Sequence, residues 1–382
     1  MTAAPDAPRV TRLILQDFRS YPALDLPVSR GIVALVGENG AGKTNLIEAL
    51  SLFAAGRGLR RADLAEMARM GAERFAVSVT LDVSAGEHRL GVGLEPGEAG
   101  RAVRRCRIDG ADASSSASFA EFLRLVWLTP DLDGLFRGSG GERRRFLDRL
   151  VLAIDARHGA RVNALERALR SRNRLLEDGG GDQAWLDAVE RELAELAVAV
   201  ASARRETVER LDAQLLATRD DGSPFPFARL ALVGELDDLV ATLPAVDAED
   251  RYRGVLRHSR DRDAAAGRTL VGPQASNLAV RHGPKDLAAE SCSTGEQKAL
   301  LLALVLAHAR LVQAMSGIAP LVLLDEVAAH LDPRRRGALY DALEALGSQV
   351  WMTGADPALF SDLGARADLF QVSPGQVAPA TF

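Results

Sequence analysis

The chain has 382 residues, 47% of them hydrophobic and 26% charged, with a formal net charge of −5. That balance fits an intracellular globular protein with a substantial core, while the length suggests two or three domains. Cys106 and Cys292 stand far apart without ligand spacing, which fits a reducing compartment and argues against a metal site, and the acidic total leaves only local basic patches for binding nucleic acid.

Residues 1–8 lack the charged and apolar regions of a signal peptide, and the longest apolar stretch, Ala299 to Ala307, is too short to cross a bilayer. A cytoplasmic protein is expected. The first informative element is Ile32 to Val36, an apolar run that reads as a buried strand. Gly37-Glu38-Asn39-Gly40-Ala41-Gly42-Lys43-Thr44 follows with the phosphate-loop spacing G-x-x-x-x-G-K-[ST], and Asn45 to Leu52 then carries apolar positions at helical spacing. Glycines let successive N–H groups and the helix N-terminus face phosphate oxygens; Lys43 supplies a point charge, expected to face solvent, and Thr44 a hydroxyl for Mg²⁺. An ordinary Gly-rich turn is the bland alternative, disfavoured by the correct strand and helix on either side.

Further along, Phe75 to Val83, His88 to Leu94 and Val103 to Ile108 read as an antiparallel meander flanking the nucleotide core. From Phe146 to Glu177 the positions Val162, Leu165, Leu169 and Leu176 mark one helical face. Asp178 to Asp182 breaks the chain, and Leu186, Val189, Leu193, Leu196, Val200 and Ala203 resume near heptad spacing. An antiparallel helical arm is expected, a helix of about twenty-five residues reaching on the order of 40 Å. After Thr218 periodicity is lost; the chain turns Pro-rich around Ser223 to Pro226, then strongly charged from Ala245 to Arg268, and no element can be assigned.

At Ser293-Thr294-Gly295-Glu296-Gln297-Lys298 two capping boxes, Ser293/Glu296 and Thr294/Gln297, are possible ahead of a helical run from Ala299 to Leu311. The positive end of that helix is then exposed. Pro320 to Glu326 is a short apolar run ending in two acids, as in a parallel strand that opens onto a nucleotide. Asp325 would hold Mg²⁺ through water, and Glu326 would orient or polarise an attacking water. Gln349 to Thr353 and Asp368 to Val372 close the sheet. Positive charge is nearly all arginine, with candidate patches at Arg57/Arg60/Arg61, Arg101/Arg104/Arg105/Arg107 and Arg251/Arg253/Arg257/Arg260/Arg262. Each patch by itself is more often a solvated face.

The order phosphate loop, Ser-x-Gly-x-Gln helix start, acidic strand and His330-Leu331-Asp332 resembles an ABC-type ATPase. Leu13 to Tyr21, Lys43 to Ala49 with Gly56 to Arg60, Glu142 to Asp148 and Leu324 to Pro333 bring the chain close to the RecF branch of the SMC-like group, from end to end. The resemblance implies an α/β fold: an ABC-type P-loop ATPase head with an antiparallel β subdomain, residues 1–130 and 271–382, and an inserted helical arm domain, residues 131–270. It implies a basic residue, Arg19, reaching toward the nucleotide. ATP would lie between Gly37–Asn45 of one subunit and Ser293, Gly295 and Gln297 of the other, with Lys43, Asp325 and Glu326 as catalytic residues and Thr44 and Asp325 on Mg²⁺. An ATP-dependent homodimer is implied too, binding DNA at single-strand gaps and junctions and, with RecO and RecR, assisting RecA loading.

Three positions depart from the pattern. Gly272-Pro273-Gln274-Ala275-Ser276-Asn277 stands where family members often have Gly-Pro-His-Arg-Asp-Asp, Leu128 to Asp131 carries no Q-loop Gln, and Thr353 replaces the switch His. Slow turnover is therefore expected. A clamp that binds ATP without hydrolysing it and a transporter-type ATPase subunit remain as rival readings.

Overall fold

The computed structural model describes residues 7–96, 102–178, 183–220 and 222–381. Arg101 of the second basic patch, most of the expected break at 178–182 and the first six residues lie outside the described residues. The chain forms two compact units, one of residues 1–133, 220–225 and 301–382, the other of 134–219 and 226–300. Residues 271–300, expected with the ATPase head, thus group with the second unit.

In the first unit, β1 (Arg9–Phe18), β2 (Tyr21–Pro27), β4 (Phe75–Val83), β5 (Gly86–Pro96), β6 (Ala102–Ile108) and β7 (Ala111–Ala113) form an antiparallel sheet in the order β2-β1-β4-β5-β6-β7. The expected meander is β4 to β6. Along β4 the odd positions from Phe75 to Val83 are all buried, the alternation of a sheet with one face in a core. The second sheet has the order β15-β14-β3-β13-β12-β8. Its members are β3 (Ile32–Val36), β8 (Leu125–Leu128), β12 (Leu321–Leu324), β13 (Val350–Gly354) and β14 (Ala367–Ser373), all parallel, with β15 (Gln376–Ala380) antiparallel at the edge.

Every residue of β3, β8, β12 and β13 is buried, and apart from Thr353 and Gly354 at the end of β13 these strands are continuous apolar runs, as expected of strands covered on both faces. Helix α1 (Lys43–Ser51) follows β3, a short α2 (Leu64–Met67) precedes β4, and α10 (Pro333–Leu346) links β12 to β13. Leu13, Leu15, Val77 and Val79 of the antiparallel sheet share one core with Val33, Leu35, Leu323 and Trp351 of the parallel sheet and with Leu46 and Leu50 of α1. Each such side chain contributes about 2 kcal/mol on full burial, and this core fixes the frame on which the loops sit.

The second unit contains α3 (Gly140–Ile154), α4 (His158–Glu177), α5 (Gln183–Ala217), α6 (Glu235–Thr242), α7 (Ala245–His258) and α8 (Arg260–Ala266), with a three-stranded sheet of β9 (Ala228–Val233), β10 (Asn277–His282) and β11 (Leu287–Ala288). The two long helices of this unit differ in length: α4 has 20 residues and α5 has 35, and α5 packs against α3, α4, α6, α7 and β9. The reason is in α5 itself. Beside the heptad stripe, Ala194, Ala197, Val198 and Ala201 are buried too, a second face of small residues that neighbouring elements approach closely. On α4 the fully buried Arg172 guanidinium donates to Glu190 at 2.9 Å, Asp263 and Thr269 at 2.8 Å each, and the Leu256 carbonyl at 2.8 Å. A charge buried this deeply is tolerated because its donors are met.

α9 (Thr294–Ser316) spans the boundary between the units. At 23 residues it is longer than its apolar run suggests, and by length and composition it could cross a membrane; 67% of its most apolar stretch is buried inside the protein. Core packing accounts for that apolarity, as for any buried helix that is hydrophobic all round.

Candidate functional site

β3, β8, β12 and β13 run parallel, so their carboxyl ends meet along one edge of the sheet. Gly37 leaves β3 there, Asp325 leaves β12, and Thr353 lies one residue from the end of β13 between them. Ligands of open α/β sheets bind at such an edge. Two loop glycines are required by close approach. A Cβ on Gly37 would lie 2.3 Å from the Val372 carbonyl oxygen, and one on Gly42, at φ 108°, would lie 2.8 Å from Ser20 Oγ and 2.9 Å from Tyr21 Oη.

Lys43 opens α1, and its ammonium donates to the Gly37 carbonyl at 2.6 Å and the Glu38 carbonyl at 3.1 Å. It also pairs with Glu326 Oε1 at 3.3 Å. The expectation that Lys43 faces solvent is corrected: it is 4% exposed, because the loop curls over its own lysine and satisfies it with its carbonyls. Gly37, Glu38, Asn39, Gly40, Ala41 and Gly42 form the turn that brings this about, with Asn39 and Gly40 exposed on it.

Thr44 Oγ1 donates to Asp325 at 3.0 and 3.1 Å from the two carboxylate oxygens, joining the start of α1 to the end of β12 across 281 residues of sequence. Asp325 is 5% exposed; burial pushes its carboxyl above the ordinary carboxylate range, against hydrogen bonds from Thr353 and Thr44 that pull it down. Hydroxyl and carboxylate oxygens side by side are a hard-oxygen donor set, which fits Mg²⁺. Glu326 follows in a left-handed conformation, φ 55°, with its N–H donating to Thr353 Oγ1 at 2.8 Å. Thr353, noted in the sequence only as a missing histidine, is buried at the centre of this cluster.

Arg19 lies beside α1 in the described structure. Its guanidinium makes a two-pronged pair with the fully buried carboxylate of Glu48, at 2.9 and 2.7 Å, and donates to the Glu66 carbonyl at 2.7 Å. The same strand-to-strand turn places Ser20 Oγ as acceptor for Asn45 Nδ2 at 3.0 Å and Tyr21 Oη as donor to the Gly42 carbonyl at 3.1 Å. Residues 19–21 therefore brace the phosphate loop and its helix. Glu48, Ser20 and Tyr21 were missed in the sequence; an acid one helical turn after Thr44 was the available signal for Glu48.

The start of α9 belongs to the second unit. Ser293 and Glu296 form the capping box: Ser293 N and Oγ donate to Glu296 Oε2 at 2.9 and 2.8 Å. Of the two boxes expected, Thr294/Gln297 is the one not formed, because Gln297 points inward, 2% exposed, and donates to the carbonyls of Cys292 at 3.0 Å and Glu290 at 3.3 Å. Glu296 also pairs with Lys285, and these partners lower its carboxyl to about 2. Ser293, Thr294 and Gly295 are exposed, and a Cβ on Gly295 would meet nothing within 4 Å.

The basic patches divide. Arg104 turns inward, donating to the carbonyls of Gly56 and Leu52 at 2.7 Å each, while Arg60 pairs with Glu48 and Arg253, Arg257 and Arg260 pair with acids of the second unit. Arg57, Arg61, Arg105, Arg107, Arg251 and Arg262 are exposed, Arg105 and Arg107 while pairing with Glu95 and Arg107 with Asp112 as well. In the Glu142–Asp148 segment, burial alone would raise Asp148, yet hydrogen bonds from His158 and Arg204 hold its carboxyl below the ordinary range.

Residues 9–376 match the family described as RecF/RecN/SMC N terminal domain. The DNA replication and repair protein RecF of Mesorhizobium japonicum is 52% identical over 376 residues, 98% of this chain and 99% of that protein. That of Rhizobium meliloti is 52% identical over 369 residues, 96% of this chain and 98% of its own length. Among solved structures, the recombination mediator protein RecF-ATPrS of the RecFOR pathway superposes with a TM-score of 0.85 at 20% identity, over 99% of this chain and 100% of that one. An Smc head domain from Pyrococcus furiosus superposes at 0.54 and 18% identity, covering 98% of this chain and 96% of that one. The fold is that of an ABC-type ATPase head.

Proposed function

The chain belongs to the RecF family of DNA replication and repair proteins, and from that membership we propose an ATP-dependent DNA-binding protein of recombinational repair that acts in the cytoplasm. The observation that carries this reading is the meeting of Lys43, Thr44, Asp325 and Glu326 at the carboxyl edge of the parallel sheet. Gly37 to Asn45 wrap the phosphates, with Lys43 exchanging its loop carbonyls and Glu326 for phosphate oxygens. Thr44 and Asp325 would hold Mg²⁺, which would supply charge neutralisation across the phosphates. Glu326, released from Lys43, accepts the proton of the attacking water as the new O–P bond forms and the bond to ADP breaks. Arg19 serves this site through Glu48 and the Glu66 carbonyl, keeping α1 and its loop in place.

Ser293 and Gly295 complete the site from a second copy of the chain, where an exposed, capped helix start offers N–H groups to a terminal phosphate. Gln297 supports that turn from beneath through the Cys292 and Glu290 carbonyls. Nucleotide then acts as interface glue and slow hydrolysis as release. The dimer engages DNA at gaps and single-strand/double-strand junctions and acts with RecO and RecR to assist RecA loading; the exposed arginines supply the phosphate contacts. The test is ATP turnover of the full chain with and without junction DNA. Slow Mg²⁺-dependent hydrolysis that rises with the junction is expected; ATP binding with no turnover in either condition would favour the non-hydrolysing clamp.

A further inference from the structure

We infer that Thr353 is a positioning residue of the nucleotide site, holding the Asp325 carboxylate and the Glu326 backbone together through one hydroxyl. The inference rests on the nucleotide-site reading of this edge. β13 lies between the phosphate-loop strand β3 and the acidic strand β12, so a side chain at its carboxyl end stands between the two halves of the site. Thr353 is fully buried there; its Oγ1 donates to Asp325 Oδ1 at 2.7 Å and accepts from the Glu326 N–H at 2.8 Å. A hydroxyl has a single proton to give, and here it is committed to Asp325, so Thr353 acts through its two neighbours rather than on a nucleotide.

Both neighbours need the restraint. Asp325 is otherwise held by Thr44, which must share itself with a metal ion. Glu326 sits in a left-handed conformation that non-glycine residues avoid, fixed by the Thr353 bond and the pair with Lys43. When a phosphate takes Lys43, the Thr353 bond is what still fixes the Glu326 backbone.

The test compares ADP binding by calorimetry, in Mg²⁺ and in EDTA, for the full-length protein and for Thr353→Val and Thr353→Ser. The wild type is expected to bind ADP more tightly in Mg²⁺. Thr353→Val keeps the shape and loses the hydroxyl, so its ratio of Mg²⁺ to metal-free affinity should fall about tenfold, the scale of one lost hydrogen bond to a charged group, with metal-free affinity little changed. Thr353→Ser should restore the ratio, which a role in packing alone would not predict. A wild-type ratio in Thr353→Val, or a Ser variant as poor as Val, overturns the inference. A wild type that binds ADP without regard to Mg²⁺ overturns the site reading along with it. If the Val protein fails to fold, Thr353→Ala replaces it: the same tenfold fall is expected, and a wild-type ratio overturns the inference in the same way.

Discussion

The carboxyl edge of the parallel sheet and the start of α9 are the two regions proposed to face phosphate, and they are built in opposite ways. At the sheet edge the polar groups find partners from distant sequence: Thr44 on Asp325, Glu326 on Thr353, Arg19 on Glu48. At α9 the partners are local, Ser293 on Glu296 and Gln297 on Cys292, with Lys285 nearby. The first region is held in place by the whole core and is pre-organised for chemistry. The second is a self-contained cap that leaves Ser293 and Gly295 outward, as the proposed completion of a second copy's site requires. Disturbing the first should therefore change nucleotide chemistry, and disturbing the second should change association.

The largest effect is expected at Glu326. Glu326→Gln keeps the shape but cannot take a proton, so ATP turnover should drop by about a thousandfold while ATP still binds and trapped dimers accumulate. Steady-state hydrolysis together with sedimentation checks it, and wild-type turnover would remove Glu326 from the chemistry. Lys43→Ala comes next, with ATP affinity expected to fall on the order of a hundredfold in calorimetric titration. Because Lys43 is buried against its loop, this variant should also lower the melting temperature slightly in the absence of nucleotide, an effect a solvent-facing lysine would not have.

The smallest effect tests the cap. The partners of Glu296 pull its carboxyl from 4.5 to about 2, so the stability it contributes is full above about pH 4.5 and is lost as pH falls toward 2. Glu296→Gln should flatten that part of the acid unfolding profile and cost no more than about 1 kcal/mol at neutral pH. An unchanged acid profile would mean that the Lys285 and Ser293 contacts do not persist in solution.

Much of the sheet edge was legible because its signals are local. A phosphate loop, an apolar strand before it and an acid pair after another strand can each be seen within ten residues. Thr353 was visible only as a departure, since nothing near it in sequence tells that it faces Asp325 across 28 residues. The second unit was less legible for the same reason: Arg172 meets Glu190 and Asp263 at separations of 18 and 91 residues. One signal there is local. Ala248, Tyr252 and Leu256 recur every four residues through the charged stretch and form the buried stripe of α7. Arg104 shows the converse limit, because an arginine in a basic run looks solvated until the carbonyls it caps are seen.

Sedimentation of Ser293→Arg with ATP and Mg²⁺ tests the division of labour between the two regions most directly. Loss of the cap costs about 1 kcal/mol and leaves the fold intact, while a bulky cation at an exposed helix start blocks close approach of a second copy. The account predicts that this variant binds ATP as the wild type does and stays monomeric where the wild type dimerises. Normal ATP-dependent dimers of Ser293→Arg would contradict it and leave the start of α9 as a helix cap with no part in the nucleotide site.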